Sequence, residues 1–294
     1  MLEIKSKLAS ISFQRTVNII WSLLVAVVAL GFALFPILFV VAAAFNPTGA
    51  LSTTSLIPNQ VSLKNFSDLL SDPAHPFLLW MWNSLKISVI TAILAVMISS
   101  FGAYAFSRFR FPGRQGLLYS LLLIQVFPNL LAMIALYIIV YQIGRYFPPL
   151  GLNTHAGLIF VYLGGALGGT IWLMKGFFDT IPRELDEAAV IDGASRGQVF
   201  FYIIFPLIRP ILIVIGILSL IGTYGDFILA RILITRTDNF TIAVGMSLFS
   251  NLQYNVEWGK FSAGAILGAL PIVILFYITQ KWIVSGLTRG AVKG

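Results

Sequence analysis

Long apolar runs separated by charges organise this chain. No Asp, Glu, Lys or Arg occurs from Thr16 to Phe45, Ile87 to Ser107, Gln115 to Gly144, Tyr146 to Met174 or Phe261 to Gln280. Each run reaches the roughly 20 residues that a helix needs to cross a hydrocarbon core. A sixth run is less clean: Ile211 to Gly225 is short, but the apolar character extends back through Phe200, Phe201, Ile203 and Ile204. That places one span over 200–225, with Arg209 near its end, where the long side chain can snorkel to the interface. Open strands cannot satisfy their backbone in lipid, so the pattern predicts six helices, at roughly 17–45, 84–107, 116–143, 156–175, 200–225 and 261–281. The expected class is an all-α polytopic membrane protein with a single transmembrane domain over 1–294.

Composition agrees: 58% of residues are apolar and 10% charged, too little polar surface to cover a water-facing globule. Cysteine is absent, which removes disulfides, thiolate metal sites and a cysteine nucleophile together. A net charge of +8 raises the question of nucleic acid, but the basic residues sit at the ends of apolar runs rather than along one face, so no nucleic-acid partner is expected. Membrane lipid is the expected surround. Counting Lys and Arg between the spans gives twelve on the side shared by both termini and six on the other, with Arg209 making nineteen. The positive-inside rule therefore puts both termini in the cytoplasm. The first run, preceded by Lys5, Lys7 and Arg15, is too long for a signal-peptide core and reads as a retained anchor.

Within the spans, Gly164 with Gly168, Gly165 with Gly169, and Gly264 with Gly268 form small-xxx-small faces suited to close packing in the bundle or against a partner. Gln125, Pro128 and Asn129 stand at mid-span, as structural hydrogen-bonding groups or as the lining of a translocation path. Tyr224 and Asp226 stand at the outer end of the fifth span; interfacial anchoring is one reading of them, and Tyr224 is also a candidate for the path.

No catalytic constellation is visible. Gly193-Ala194-Ser195-Arg196-Gly197 matches G-x-S-x-G, but a helix precedes it and the chain's two histidines, His75 and His155, fall across the membrane. There is no H-E-x-x-H pair, no phosphate loop and no set of metal ligands, so neither a metal nor a cofactor of its own is expected.

One loop stands apart. Pro182 suits a first helical position, acids crowd the first turns, and Gly193 suits a C-terminal cap, which predicts a helix of about ten residues, marginal in isolation. Leu185, Ala188, Ala189 and Asp192 share one face of small side chains. Residues 175–196 hold three basic and five acidic residues, a net negative loop on the positive side. Either it is a solvated connector or it docks a partner.

Glu187-Ala188-Ala189, Asp192-Gly193-Ala194, Phe200 and Pro206-Leu207-Ile208-Arg209-Pro210 resemble the EAA loop of ABC importer permeases, over 178–197 and its tail. Thr241 to Met246, Trp258-Gly259, Ala269 to Ile272 and the ending Gly286 to Gly294 look like the smaller permease subunit of maltose-type carbohydrate importers. This resemblance implies a permease in a bacterial or archaeal plasma membrane. It implies a heterodimer with a second permease, two copies of a cytoplasmic ABC ATPase holding ATP and Mg, and an extracytoplasmic sugar-binding protein. It implies that Glu184, Leu185, Glu187, Ala188, Ala189, Asp192 and Gly193 couple to the ATPase, and that the tail Gly290, Ala291, Val292, Lys293 and Gly294 reaches between the ATPases. It also implies that the outer segment with Asn251, Gln253, Tyr254, Asn255 and Trp258 touches the binding protein. The substrate implied is an α-glucoside such as maltose, maltodextrin or trehalose. Arg209 between the two prolines departs from the family pattern. The alternative is an ion-coupled secondary transporter, which the charge-free span interiors disfavour; an intramembrane enzyme lacks its nucleophile, base and metal ligands.

Overall fold

Lipid offers a backbone no hydrogen-bond partners, so a chain this apolar closes its amide ladder within each segment. A computed structural model describes residues 2–47, 60–250 and 257–291, with 2–13, 15, 129, 130 and 283–291 described as backbone only. Its helices are α1 (Leu2–Phe45), α2 (Lys64–Ser71), α3 (Phe77–Arg108), α4 (Arg114–Val126), α5 (Asn129–Tyr146), α6 (His155–Phe178), α7 (Glu184–Ile191), α8 (Arg196–Gln198), α9 (Phe205–Tyr224), α10 (Ile228–Leu233), α11 (Ile242–Met246) and α12 (Trp258–Ala291). Among the described residues there is no strand.

Five helical stretches are long and apolar enough to cross a membrane: Thr16–Phe45, Phe77–Arg108, His155–Phe178, Arg196–Tyr224 and Trp258–Trp282. A sixth arises only if α4 and α5 count as one span, because they meet at a bend of 108°. The helix expected over 116–143 is therefore not continuous. Phe127, preceding proline, is extended (φ −67°, ψ 128°), and Pro128 has no N–H to continue the ladder. The second helix starts at Phe77, ahead of the expected 84, because Pro76 sets its start and Lys86 is accommodated within it.

The span that contains α8 and α9 is joined by a π-helical turn over Val199–Ile204, in which the Phe205 N–H reaches the Phe200 carbonyl. Pro206 follows immediately and cannot donate, and the wide turn accommodates its ring. Arg209 is exposed.

The chain divides into two compact units, residues 1–71 with 249–267 and residues 72–248 with 268–294. In the first, α1 exposes its apolar length and buries Ala42, Ala43 and Ala44. Asn65 at the start of α2 is buried and donates to the carbonyls of Ala44 and Asn46, both at 2.9 Å. It thereby satisfies acceptors that the end of α1 leaves open. Gly259 lies against the Asn65 amide, where a Cβ would collide.

In the second unit α3 is the hub, packed on α6 and α9. Its buried side includes Ser84, Ser88, Thr91, Ala92, Ala95, Ser99, Ser100, Ala103 and Ser107, small residues that let neighbouring backbones approach. Several of the hydroxyls bond within the bundle: Ser88 to the Ser84 carbonyl, Ser100 to the Val96 carbonyl, and Ser99 with Thr170 across to α6 at 2.6 Å. At the N-terminal end of α3, Trp80 Nε1 donates to the Thr237 carbonyl at 2.8 Å. Asn83 donates to the Asp238 and Phe240 carbonyls, and Ser84 accepts from the Ile242 N–H at 2.7 Å. These bonds pin the 237–242 segment.

Trp80 is fully buried, and a Cβ added at Gly245 would collide with its indole carbons. Gly245→Ala should therefore cost ~2 kcal/mol of overpacking and lower the melting temperature in detergent by about 5 °C. Gly222→Ala, a site where a Cβ meets nothing within 4 Å, serves as the control and should melt like wild type. Equal melting of Gly245→Ala and wild type would show that the Trp80 pocket yields.

Candidate functional site

The loop between α6 and α9 is assembled from local rules at both ends. Asp179 caps α6, accepting from Ser107 Oγ of α3 at 2.6 Å and pairing with Lys175 one turn back. Burial alone would raise the Asp179 pKa. The hydrogen bonds from Lys175 and Ser107, with the charges of Lys175 and Arg114, outweigh that and hold the carboxyl below the ordinary carboxylate value. The helix α7 follows with Glu184, Asp186 and Glu187 in its first turn, where acids complement the dipole. It ends in a Schellman motif: Gly193 N–H reaches the Val190 carbonyl at 3.0 Å and Ala194 N–H the Ala189 carbonyl at 2.9 Å. Gly193 takes φ +89°, the left-handed conformation this motif demands and glycine supplies without strain. Ser195 and Gln198 then close a capping box that starts α8.

The two faces of α7 differ sharply. Inward, Ala189 joins a core with Tyr104, Phe178, Ile181, Val199, Phe200, Ile204 and Ile208. Tyr104 meets the Phe200 ring at 4.9 Å and the Phe178 ring at 6.0 Å. Asp186 is also inward, in an ion pair with Arg108 at the end of α3 that leaves the two side chains 7% and 5% exposed. Arg108 Nη2 donates to the Ile181 carbonyl at 3.0 Å, and Arg183 Nη2 to the Ser107 carbonyl at 3.0 Å. Outward lie Glu184, Leu185, Glu187, Ala188, Ile191 and Asp192.

The face of small residues expected from the spacing is thus split. Leu185, Ala188 and Asp192 are open, Ala189 is turned into the chain's own core, and Ile191, unremarked in the sequence, is 85% exposed. Over a helix of eight residues the periodicity cannot choose between adjacent faces; the Asp186–Arg108 pair makes the choice. Ser107, Arg108, Asp179 and Asp186 all escaped the sequence reading. The only available signal was an arginine at one helix end and an aspartate within an acidic run, which does not name a pair.

The other candidates fall in separate places. Tyr224 is buried and donates its hydroxyl to the Gly268 carbonyl at 2.8 Å, which ties α9 to α12. The Gln125 amide lies in the gap left by Gly168 and Gly169, where a Cβ would collide with it. Pro128 stands at the α4–α5 bend; the Asn129 side chain lies outside the described set. A cleft of about 1480 Å³ opens between α4, α5, α6 and α9. Its walls are mainly apolar and include Gly164 and Gly165, beside which a Cβ would meet nothing within 4 Å. Its polar groups are Tyr162, Thr170, Ser219, Thr223 and Asp226, with Tyr162 donating to Asp226 Oδ1 at 2.9 Å. Those hydroxyls gave no sequence signal because each also fits a buried helix face.

Trp258 opens α12 with its ring 6.0 Å from that of Phe261, whereas Asn251, Gln253, Tyr254 and Asn255 lie outside the described residues. Gly290 and Ala291 end α12 as backbone, and Val292, Lys293 and Gly294 again lie outside. Among the described residues no three His, Asp or Glu side chains gather as a metal site would require.

The same fold occurs in the crystal structure of a bacterial ABC transporter involved in the import of the acidic polysaccharide alginate. The match has a TM-score of 0.74 at 22% identity and covers 91% of this chain and 96% of that one. A second alginate transporter structure, in complex with an alginate pentasaccharide-bound periplasmic protein, matches with a TM-score of 0.66 at 15% identity, over 89% and 92% of the two chains. The fold is that of an ABC transporter permease.

Residues 95–289 match the family model described as binding-protein-dependent transport system inner membrane component. The maltose/maltodextrin transport system permease protein of Vibrio vulnificus YJ016 is 44% identical over 287 residues, covering 94% of this chain and 96% of its own. That of Escherichia coli K12 is 43% identical over 272 residues, covering 89% and 91%. The chain belongs to this family of multi-pass inner membrane transport components.

The depressed pKa of Asp179 makes a signed prediction. A group whose folded pKa lies below its unfolded value stabilises fully above the unfolded value and loses that contribution as pH falls through the folded one. Asp179→Asn should melt below wild type at neutral pH, with the gap constant down to about pH 5 and closing below about pH 4. Coincident melting curves at pH 7 would show that the carboxylate is not held by Ser107 and Lys175.

Proposed function

We propose that this chain is one of two permease subunits of an ATP-driven sugar importer, with α7 seated on a cytoplasmic ATPase. The observation that carries the reading is the contrast between the two faces of α7. An eight-residue helix does not persist alone in water. Here its inner face is fixed by Asp186 and Ala189, and its outer face leaves Leu185, Ala188 and Ile191 open alongside Glu184, Glu187 and Asp192. Exposed apolar side chains ringed by acids on a membrane protein's loop suit a protein partner. The resemblance of Glu187-Ala188-Ala189 and Asp192-Gly193-Ala194 to the EAA loop supports an ABC ATPase as that partner.

In this reading ATP and Mg reside on two ATPase copies, and this chain supplies no cofactor. A second permease completes the pathway, and an external binding protein delivers the sugar. ATPase closure carries α7 inward as a rigid body and switches the spans between two states. Release into the cytoplasm follows because the inward-open state binds sugar less well. The names of the relatives support maltose or maltodextrin as cargo; trehalose is proposed only as a related α-glucoside. The Lys and Arg distribution supports cytoplasmic termini.

Uptake of labelled maltose by cells carrying Glu187→Lys or Gly193→Asp should fall at least about tenfold with normal amounts of the subunit in the membrane. Wild-type uptake in both variants would remove α7 from the coupling route. Competition by unlabelled maltotriose and trehalose in the wild type assigns the cargo within the α-glucosides, and absence of labelled maltose uptake by the wild type would overturn maltose as the substrate.

A further inference from the structure

The ion pair between Arg108 and Asp186 is taken out of water almost completely. Such burial is costly, and an apolar pair of similar volume commonly stabilises a protein as well or better. Its surroundings are also incompletely satisfied. Arg108 Nε touches Asp186 without the alignment of a hydrogen bond, and Asp186 Oδ1 and the Tyr104 hydroxyl are buried with no hydrogen-bond partner. Stability alone does not account for this arrangement.

Position does. Arg108 is the last residue of α3, and its guanidinium reaches two points of the loop: the Ile181 carbonyl just before α7 and the Asp186 carboxylate within it. Arg183 returns the contact from the loop to the Ser107 carbonyl, and Ser107 donates to Asp179 at the end of α6. Five side chains thus lace the end of α3 to the segment before α7 and to α7 itself. Arginine is suited to this because its planar fork addresses a carbonyl and a carboxylate from one fixed frame. One and two residues farther along, Glu187 and Ala188 face outward, so the angle of the outer face follows from where Asp186 is held.

We infer that Arg108 and Asp186 are the positioning residues that set the docking angle of α7 and pass its displacement into α3. The inference rests on the proposed coupling role of α7. The pair is a mechanical joint rather than a stabilising one: its cost in folding is accepted because the charges admit one relative placement of two helices, whereas an apolar contact admits several.

The test uses the complete importer reconstituted in proteoliposomes with its binding protein, reading maltose imported per ATP hydrolysed. Three variants are compared: Asp186→Asn, which keeps shape and removes charge; Arg108→Met with Asp186→Leu, which replaces the pair by apolar side chains; and Glu187→Lys on the outer face. The expected result is that the apolar double variant assembles and melts like wild type while its import per ATP falls on the order of tenfold. Asp186→Asn should lose the same ratio whatever it loses in stability. Wild-type import per ATP in the double variant, with Glu187→Lys inactive, would overturn the joint and leave α7 as the docking helix. Wild-type ratios in all three would overturn the coupling reading itself. A double variant that fails to assemble would make the pair structural and likewise overturn the inference.

Discussion

A helix enclosed by other helices in a membrane has to bring its neighbours close without leaving polar atoms stranded, and α3 meets that demand with small hydroxyl residues. Serine and threonine let adjacent backbones approach and then bond either to their own helix or across to the next, as Ser99 does with Thr170. Because α3 runs through the second unit packed on both α6 and α9, what happens at its two ends is shared with both. One end, through Trp80, Asn83 and Ser84, holds the carbonyls and amides of 237–242. The other, through Ser107 and Arg108, holds the loop that carries α7. Loops at opposite ends of the unit are thereby fixed to one rigid element.

The physics of the two ends differs. At the N-terminal end neutral donors meet carbonyls, each bond adding modestly and each costly to lose once buried. At the C-terminal end the contacts are largely ionic, and Asp179 and Asp186 divide the work. Asp179 is partly solvated and closes α6, so it behaves as a charge-assisted cap. Asp186 is enclosed, so its value lies in geometry rather than in net energy.

The sequence disclosed the class of fold because lipid imposes a simple rule, apolar runs of sufficient length, and the family because the Glu187-Ala188-Ala189 and Asp192-Gly193-Ala194 blocks are closely spaced. Gly193 was legible too, since a C-terminal cap after an acidic helix asks for a left-handed residue and the structure gives it φ +89°. Other features were hidden for identifiable reasons. The break at Phe127-Pro128 looks, letter by letter, like a tolerated kink, and only the extended Phe127 turns it into a 108° bend. The tie made by Tyr224 was hidden because its acceptor, the Gly268 carbonyl, belongs to backbone distant in sequence. The Arg108–Asp186 pair spans two helices, and nothing in either local pattern says that they meet.

The loop is held at three independent places, and this limits how it can move. Asp179 joins it to α6, Arg108 and Ser107 join it to α3, and the capping box of Ser195 with the π turn before Pro206 makes it continuous with α9. A loop tied at one point could absorb a push by flexing. A loop tied to three packed helices transmits it, because close-packed interiors have little compressibility to absorb a displacement. The π turn is the one of these ties that departs from the regular helical ladder. In the proposed coupling, a displacement of α7 would reach α3 and α6 through these side-chain ties and α9 through the π turn.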